Sequence, residues 1–289
     1  MPRFITTAGN KGFDSTVDPP WQMIGVGDFT DLVLHDGTGW DLKPSDPRIT
    51  VRDMPVGPTM TFRNIRIEAK TVGPAFIDAV HPDGRKQRIL EVDVKGRKQL
   101  RVILNFVEDK FHNQTTIFNF PGFKPKLKTD IDFIFVPQAE VEIQFLLERS
   151  VDVRTSIYDI IGRQERSEVV FTGRLKGPYV EWYKMADKAE TGLGADLNVF
   201  LMPRSEFRGF RDGPSLVLGM DGNILYEDEL VPDTDKIART LGHWIACVEG
   251  CAETFNSRSH EQLMFRDPNT RNSRFIPKEC ANILNPPSP

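Results

Sequence analysis

Apolar and polar residues alternate in short runs through the first hundred positions of the chain. "DLVLHD" (31–36), "RITVRDM" (48–54), "TFRNIRIEAK" (61–70), "AFIDAVH" (75–81), "RILEVDV" (88–94) and "QLRVILNFV" (99–107) each read as strands. Asp36-Gly37, the stretch from Pro44 to Pro47, Gly57-Pro58, Gly73-Pro74, Asp83-Gly84 and Gly96 separate them with turn-forming residues. Short strands at this spacing predict a β-sandwich over 20–109. A piece ending near Asp109 carries its own alternating strands and is expected to fold alone. The connection that follows, 110–126, contains Pro and Phe. Its basic run "GFKPKLK" (122–128) is expected to be a solvated linker rather than a phosphate-binding patch.

Beyond this point the rhythm changes. "TDIDFIFVPQAEVEIQFLLERSVDV" (129–153) predicts a short helical or irregular piece and then a long apolar strand. "ADLNVFLMPR" (195–204) and "PSLVLGMDGNILYEDEL" (214–230) supply further strands. In "DTDKIARTLGHWIACVEG", apolar Ile237, Leu241, Ile245 and Val248 recur at helical spacing. Asp233 or Thr234 can cap the start of that helix, and Gly250 is placed to end it. The expected class is α+β multidomain, a β-sandwich followed by an α+β domain over 127–289.

Composition narrows the function classes. At 289 residues with a net charge of −4, the chain has room for two domains and no domain-wide basic excess, so nucleic acid is not an expected partner. No apolar run approaches the length of a transmembrane helix, and the N-terminus lacks the apolar core of a cleavable signal. Cytoplasmic residence is the default, with signal-independent export compatible with it. The three cysteines, Cys247, Cys251 and Cys280, make no disulfide framework, and whether Cys251 and Cys280 pair is left open.

The chemistry-bearing residues sit in "TLGHWIACVEGCAETF" (240–255). His243 and Cys247 are four apart, so one helix face presents both. Gly250 lets the chain turn and bring Glu253 back. Imidazole, thiolate and carboxylate all bind zinc, so the set is chemically permissible. Each residue also has a plainer role: His243 as a hydrogen-bonded helix residue, Cys247 as a small buried apolar one, Glu253 as a surface carboxylate and Met264 as core. Elsewhere "GLGADLN" (192–198) is a turn, "WYKMADK" (182–188) an amphipathic surface piece, and His260-Glu261 lacks a second His at metal spacing.

Two resemblances follow. "VGDFTDLVL", "LKPSDPRITV" and "VGPAFIDAVHPDGRKQRILEVDV" resemble the opening strand, second strand and closing hairpin of bacterial immunoglobulin-like domains, which implies a spacer or binding module. The order "LNVFL", "NILYEDE", the helix with metal spacing, "EQLMF" and "RFIPKECANIL" resembles the catalytic domain of metzincin-type (zincin-like) zinc metallopeptidases, whose motif is H-E-x-x-H-x-x-G-x-x-H. That resemblance puts His243, Cys247 and Glu253 on the three ligand positions and Gly250 on the turn glycine. Met264 falls on the methionine turn, and "FIPKECANIL" on a capped closing helix. Trp244 stands where the family has its general-base glutamate. An indole has one N–H donor and no basic site, so ordinary peptidase activity is not expected. The implied function is a catalytically degenerate metallopeptidase-like protein serving as a binding or structural component for a protein or peptide partner. It needs no cofactor, or zinc if the His/Cys/Glu set is used. An active hydrolase with a base from elsewhere, and a two-domain structural or adhesion protein, are the alternatives.

Overall fold

The computed structural model describes residues 1–5, 12–55, 62–108, 123–152, 196–202, 210–212, 215–219, 234–254, 261–264 and 274–287. Strands "NILYEDE", the 182–188 piece, residues 192–195 and His260 lie outside them. The first half runs β1 (Arg3–Ile5), β2 (Phe13–Asp14), β3 (Trp21–Gly25), β4 (Phe29–His35), β5 (Asp41–Pro44), β6 (Ile49–Met54), β7 (Arg63–Ala69), β8 (Gly73–Val80) and β9 (Lys86–Lys95). They form two sheets, ordered β1-β4-β7-β6 and β2-β3-β9-β8-β5. All pairs are antiparallel except β3 with β9. Alternation builds the shared core: Ile65, Ile67 and Ala69 of β7 point into it, as do Ala75, Ile77 and Ala79 of β8 from the other sheet.

The second half contains β10 (Lys98–Glu108), α1 (Phe123–Ala139), β11 (Val141–Asp152), β12 (Leu197–Met202), β13 (Phe210–Asp212), β14 (Ser215–Gly219), α2 (Thr234–Glu249) and α3 (Lys278–Leu284). The sheet order is β11-β10-β12-β14-β13, parallel throughout except for the edge strand β13. The helices share one core with this sheet: Leu127, Ile131 and Ile134 of α1, Leu241 and Ile245 of α2, and Ala281 and Leu284 of α3. The class is α+β. Among the described residues, no helix is long and apolar enough to cross a membrane.

Three expectations about organisation are corrected. The strand at 99–107, expected to close the first domain, instead lies between β11 and β12 in the second sheet. Its run Leu100, Val102, Ile103 is buried, the signature of a strand covered on both faces. The first domain also begins before residue 20, because β1 and β2 pair into its sheets. Finally, residues 123–128 are the opening turns of α1 and not a linker. Lys126 meets Asp130 at 3.0 Å and Lys128 meets Asp132, each one turn on, so the basic run serves helix pairing.

The halves are welded rather than tethered. On β3, Ile24 enters the sandwich core while Trp21 and Met23 enter the other core. On β9, Leu90, Val92 and Val94 face the sandwich. Their polar neighbours do other work: Asp93 Oδ2 accepts from Trp21 Nε1 at 2.7 Å, and Glu91 pairs with Lys278 at 2.6 Å. Lys95, almost completely buried, donates from Nζ to Ala281 O at 3.1 Å, to Asn282 Oδ1 at 2.7 Å and to Asn285 O. It thereby satisfies the last carbonyls of α3. The start of α3 is capped from the first half of the chain. Pro277 supplies no side-chain cap, and the Lys278 N–H goes instead to Asp14 Oδ2 of the first domain at 3.0 Å.

Burial pushes Lys95 down to about 8, with Asp93 opposing the shift. The folded value lies below the ordinary 10.5, so the unfolded chain binds more protons between the two. The contribution is fully present above about 10.5 and is lost as the pH falls through about 8. Stability against urea is therefore expected to rise from pH 8 towards pH 10 through this group. Lys95→Met is expected to flatten that rise, and equal pH profiles for the two chains would refute the assignment.

Candidate metal centre

The start of α2 is anchored on α1. The buried Thr234 hydroxyl donates to Asp130 Oδ2 at 2.6 Å and accepts from Lys126, so Thr234 bonds across to α1; Asp233 lies outside the described residues. Leu241 and Ile245 are buried as their spacing implies, joined by Ala238 and Ala246; the side chains of Ile237, Val248 and Trp244 are outside those described. A Cβ on Gly242 would come within 3.2 Å of Phe135 Cε2, so this glycine sets a close approach of the two helices. That approach buries the next residue, His243.

His243 is 1% exposed. Its Nδ1 lies 2.8 Å from the carbonyl oxygen of Leu263. A carbonyl only accepts, so Nδ1 carries a proton. Nε2 faces Glu253 Oε1 at 3.2 Å and Cys247 Sγ at 3.7 Å. One ligand atom from each of His243, Cys247 and Glu253 lies within 4.8 Å of the others.

The turn that returns Glu253 is a helix C-cap written into the sequence. Gly250 adopts φ +109°, its N–H reaches Cys247 O at 3.1 Å, and the Cys251 N–H reaches Ala246 O at 2.9 Å. These are the two bonds of a Schellman cap, which needs a residue without a Cβ penalty at the first position beyond the helix. Three residues after Cys251, the Thr254 N–H binds Met264 O at 2.8 Å. Cys251 and Cys280 form a disulfide, which ties the turn to α3. Met264 is buried in the core cluster directly after the Leu263 that holds His243.

The donor set is compatible with zinc. Bonds of about 2.0–2.1 Å to nitrogen and oxygen and about 2.3 Å to sulfur give ligand-to-ligand edges of roughly 3.3–3.7 Å. The N···O and N···S separations of 3.2 and 3.7 Å fall at those edges. Three electron-rich atoms converging on one point are satisfied by a cation or by a proton on Nε2. The half-buried Cys247 and the Glu253 side chain, 35% exposed, leave the site open on one side. A site with three protein donors and an open position has the form of catalytic zinc sites.

His243, Cys247 and Glu253 lie together, but the sequence does not reveal what fixes them. Leu263 contributes only its backbone carbonyl, for which no residue type gives a signal. The pairing of Cys251 with Cys280 depends on where α3 packs.

No family model matches the chain, and no curated protein matches it. Among solved structures it is similar to an archaemetzincin from Methanopyrus kandleri, with 13% identity over 64% of this chain and 93% of that one, TM-score 0.37. It is similar to a zinc-dependent peptidase from Methanocorpusculum labreanum, with 12% identity over 63% of this chain and 100% of that one, TM-score 0.35. A third likeness is to a Bacteroides ovatus GH5 xyloglucanase, with 11% identity over 98% of this chain and 59% of that one, TM-score 0.22. Likeness at these scores carries no argument about function. The side chains have to carry it.

Proposed function

We propose that the chain is a catalytically degenerate metallopeptidase-like protein whose second domain holds one zinc ion with His243, Cys247 and Glu253. The observation that carries this is the convergence of His243 Nε2 with a carboxylate oxygen of Glu253 at 3.2 Å and the sulfur of Cys247 at 3.7 Å. A bound zinc would supply Lewis-acid polarisation of a coordinated oxygen. His243, Cys247 and Glu253 orient and hold; none of them is free to act as a base while serving as a ligand. Trp244, beside the first ligand, has no basic site with which to take a proton from water. In this reading Met264 is core beneath the site and Gly250 makes the ligand turn.

The chain then works by binding a protein or peptide partner, or as a structural part. The two-sheet first domain acts as an immunoglobulin-like positioning module, fixed to the second domain through Lys95 and Asp14. The Cys251–Cys280 bond supports work in an oxidising compartment after export, in place of the default cytoplasmic residence.

Anomalous scattering at the zinc edge, together with a peptide-hydrolysis assay of the same zinc-treated sample, tests the reading. One ion between residues 243, 247 and 253 is expected, with hydrolysis no faster than a zinc-free blank. An empty site removes the proposal. A filled site with hydrolysis that disappears in His243→Ala would favour the active-hydrolase reading, which the open side of the site supports.

A further inference from the structure

Cys251 occupies a particular place: it follows the cap glycine, lies four residues after Cys247 and two before Glu253. Its partner Cys280 sits on α3, 29 residues away in sequence. The loop closed by this bond contains both Glu253 and Leu263, one a donor and the other the carbonyl that fixes the imidazole. We propose that the Cys251–Cys280 disulfide positions the ligand turn, so that metal retention at His243, Cys247 and Glu253 depends on the thiol redox state of the surroundings. This rests on the metal-site reading given above.

The two ends of the bond are not equally held. Independently of the disulfide, α3 is fixed to the first half through Lys95 and through Lys278 N–H to Asp14, and Asn285 Nδ2 adds bonds to Gly96 O at 3.0 Å and to Ala139 O, at the end of α1, at 2.9 Å. Lys98 Nζ adds a bond to Leu284 O at 2.8 Å. The turn has less. Ala252 and Glu253 are exposed, and the backbone bonds that flank them are Cys251 N–H to Ala246 O and Thr254 N–H to Met264 O. Opening the disulfide therefore leaves α3 in place and releases the turn. Glu253 then loses its fixed distance to Nε2, and the segment carrying Leu263 loses one of its anchors.

The chemistry is an ordinary thiol–disulfide exchange. A dithiol reductant supplies two electrons and two protons and leaves as its own disulfide, and Cys251 and Cys280 become thiols. Both cysteines are buried, so a reductant reaches the bond only as the turn opens. Coupling between two equilibria is reciprocal. Bound metal holds the turn closed and slows reduction, while reduction weakens metal binding.

The test is a zinc titration of the full chain against a chromophoric chelator, comparing the oxidised parent with C251A/C280A. Circular dichroism checks that both are folded. The double variant is expected to bind zinc about ten-fold or more weakly, in the range that outer supporting groups contribute. A control, Asn285→Ala, removes one hold on α3 without touching the disulfide and is expected to leave zinc affinity within about two-fold, because Lys95, Lys98 and Asp14 still fix the helix. Equal affinity in parent and C251A/C280A overturns the proposal, as does an equal loss in the control. If C251A/C280A does not fold, the rate at which tris(2-carboxyethyl)phosphine reduces the parent with and without zinc decides instead: here the phosphine takes up the oxygen of water and is itself oxidised. Slower reduction with zinc is expected, and equal rates overturn the coupling. Amide exchange at Thr254 in the metal-free chains separates the two ideas. Faster exchange in the variant with no zinc bound by either chain would sink the metal reading and leave the hold of the disulfide on the turn standing. Unchanged exchange would remove that hold as well.

Discussion

A fragment spanning residues 20–109 is expected to show no cooperative thermal transition, although its strand pattern suggests an independent domain. Four losses act together. Cutting at residue 20 removes β1 and β2, which pair with β4 and β3. Keeping residues up to 109 retains β10 without β11 and β12, its partners on either side. A long apolar strand with both edges unpaired invites association rather than folding. Trp21 and Met23 lose the core formed with α1 and α2. Burying them stabilises the intact chain by roughly 1.5–3 kcal/mol for a side chain of Met size, and more for Trp. Lys95 loses the carbonyls of α3. Differential scanning calorimetry and amide dispersion decide the matter, with the full chain as the reference. A sharp transition and well-spread amides in 20–109 would show that the welds contribute little.

How much of this was legible in the sequence depends on whether the cause is local. Most strands of the first half are found where alternation put them, because period two requires only one buried face. The helix from Thr234 to Glu249 and its end at Gly250 follow from 3.6-residue spacing and from the φ that a Schellman cap demands. The same spacing brought His243, Cys247 and Glu253 to one point. What was missed is non-local. Nothing within 99–107 states that its partners are 141–152 and 197–202, since a strand covered on both faces and one at the end of a sandwich differ by only a few polar letters. Lys126 and Lys128 look like a solvated run until Asp130 and Asp132 are placed one helical turn away. Lys95 alternates with valines as an exposed residue would, yet the surface it faces is covered by a helix nearly two hundred residues further along the chain.

Zinc is expected to raise the stability of the full chain, and the substitutions that remove a donor are expected to abolish that rise. A ligand that binds only the folded state stabilises by RT ln(1 + [L]/Kd), about 2.7 kcal/mol at a hundred-fold excess over Kd and about 4.1 at a thousand-fold. The choice of variant matters. His243→Ala strips the Leu263 carbonyl of its donor and leaves it buried, which costs about 1–3 kcal/mol with or without metal. Loss of stability in that variant alone proves nothing about zinc. Cys247→Ser and Glu253→Gln are cleaner, because neither side chain is fully buried and both substitutions nearly keep the side-chain shape. Their metal-free stability is expected to stay within about 0.5 kcal/mol of the parent, as for ordinary surface changes. Their zinc increment is expected to vanish. A chelator should return the zinc-loaded parent to its metal-free melting temperature. Because the donors must be deprotonated to bind, the increment should also shrink as the solution is acidified. A parent whose melting temperature ignores both zinc and chelator would show that Nε2, Sγ and Oε1 meet without holding an ion, and that the proton on the imidazole is the partner the carboxylate uses.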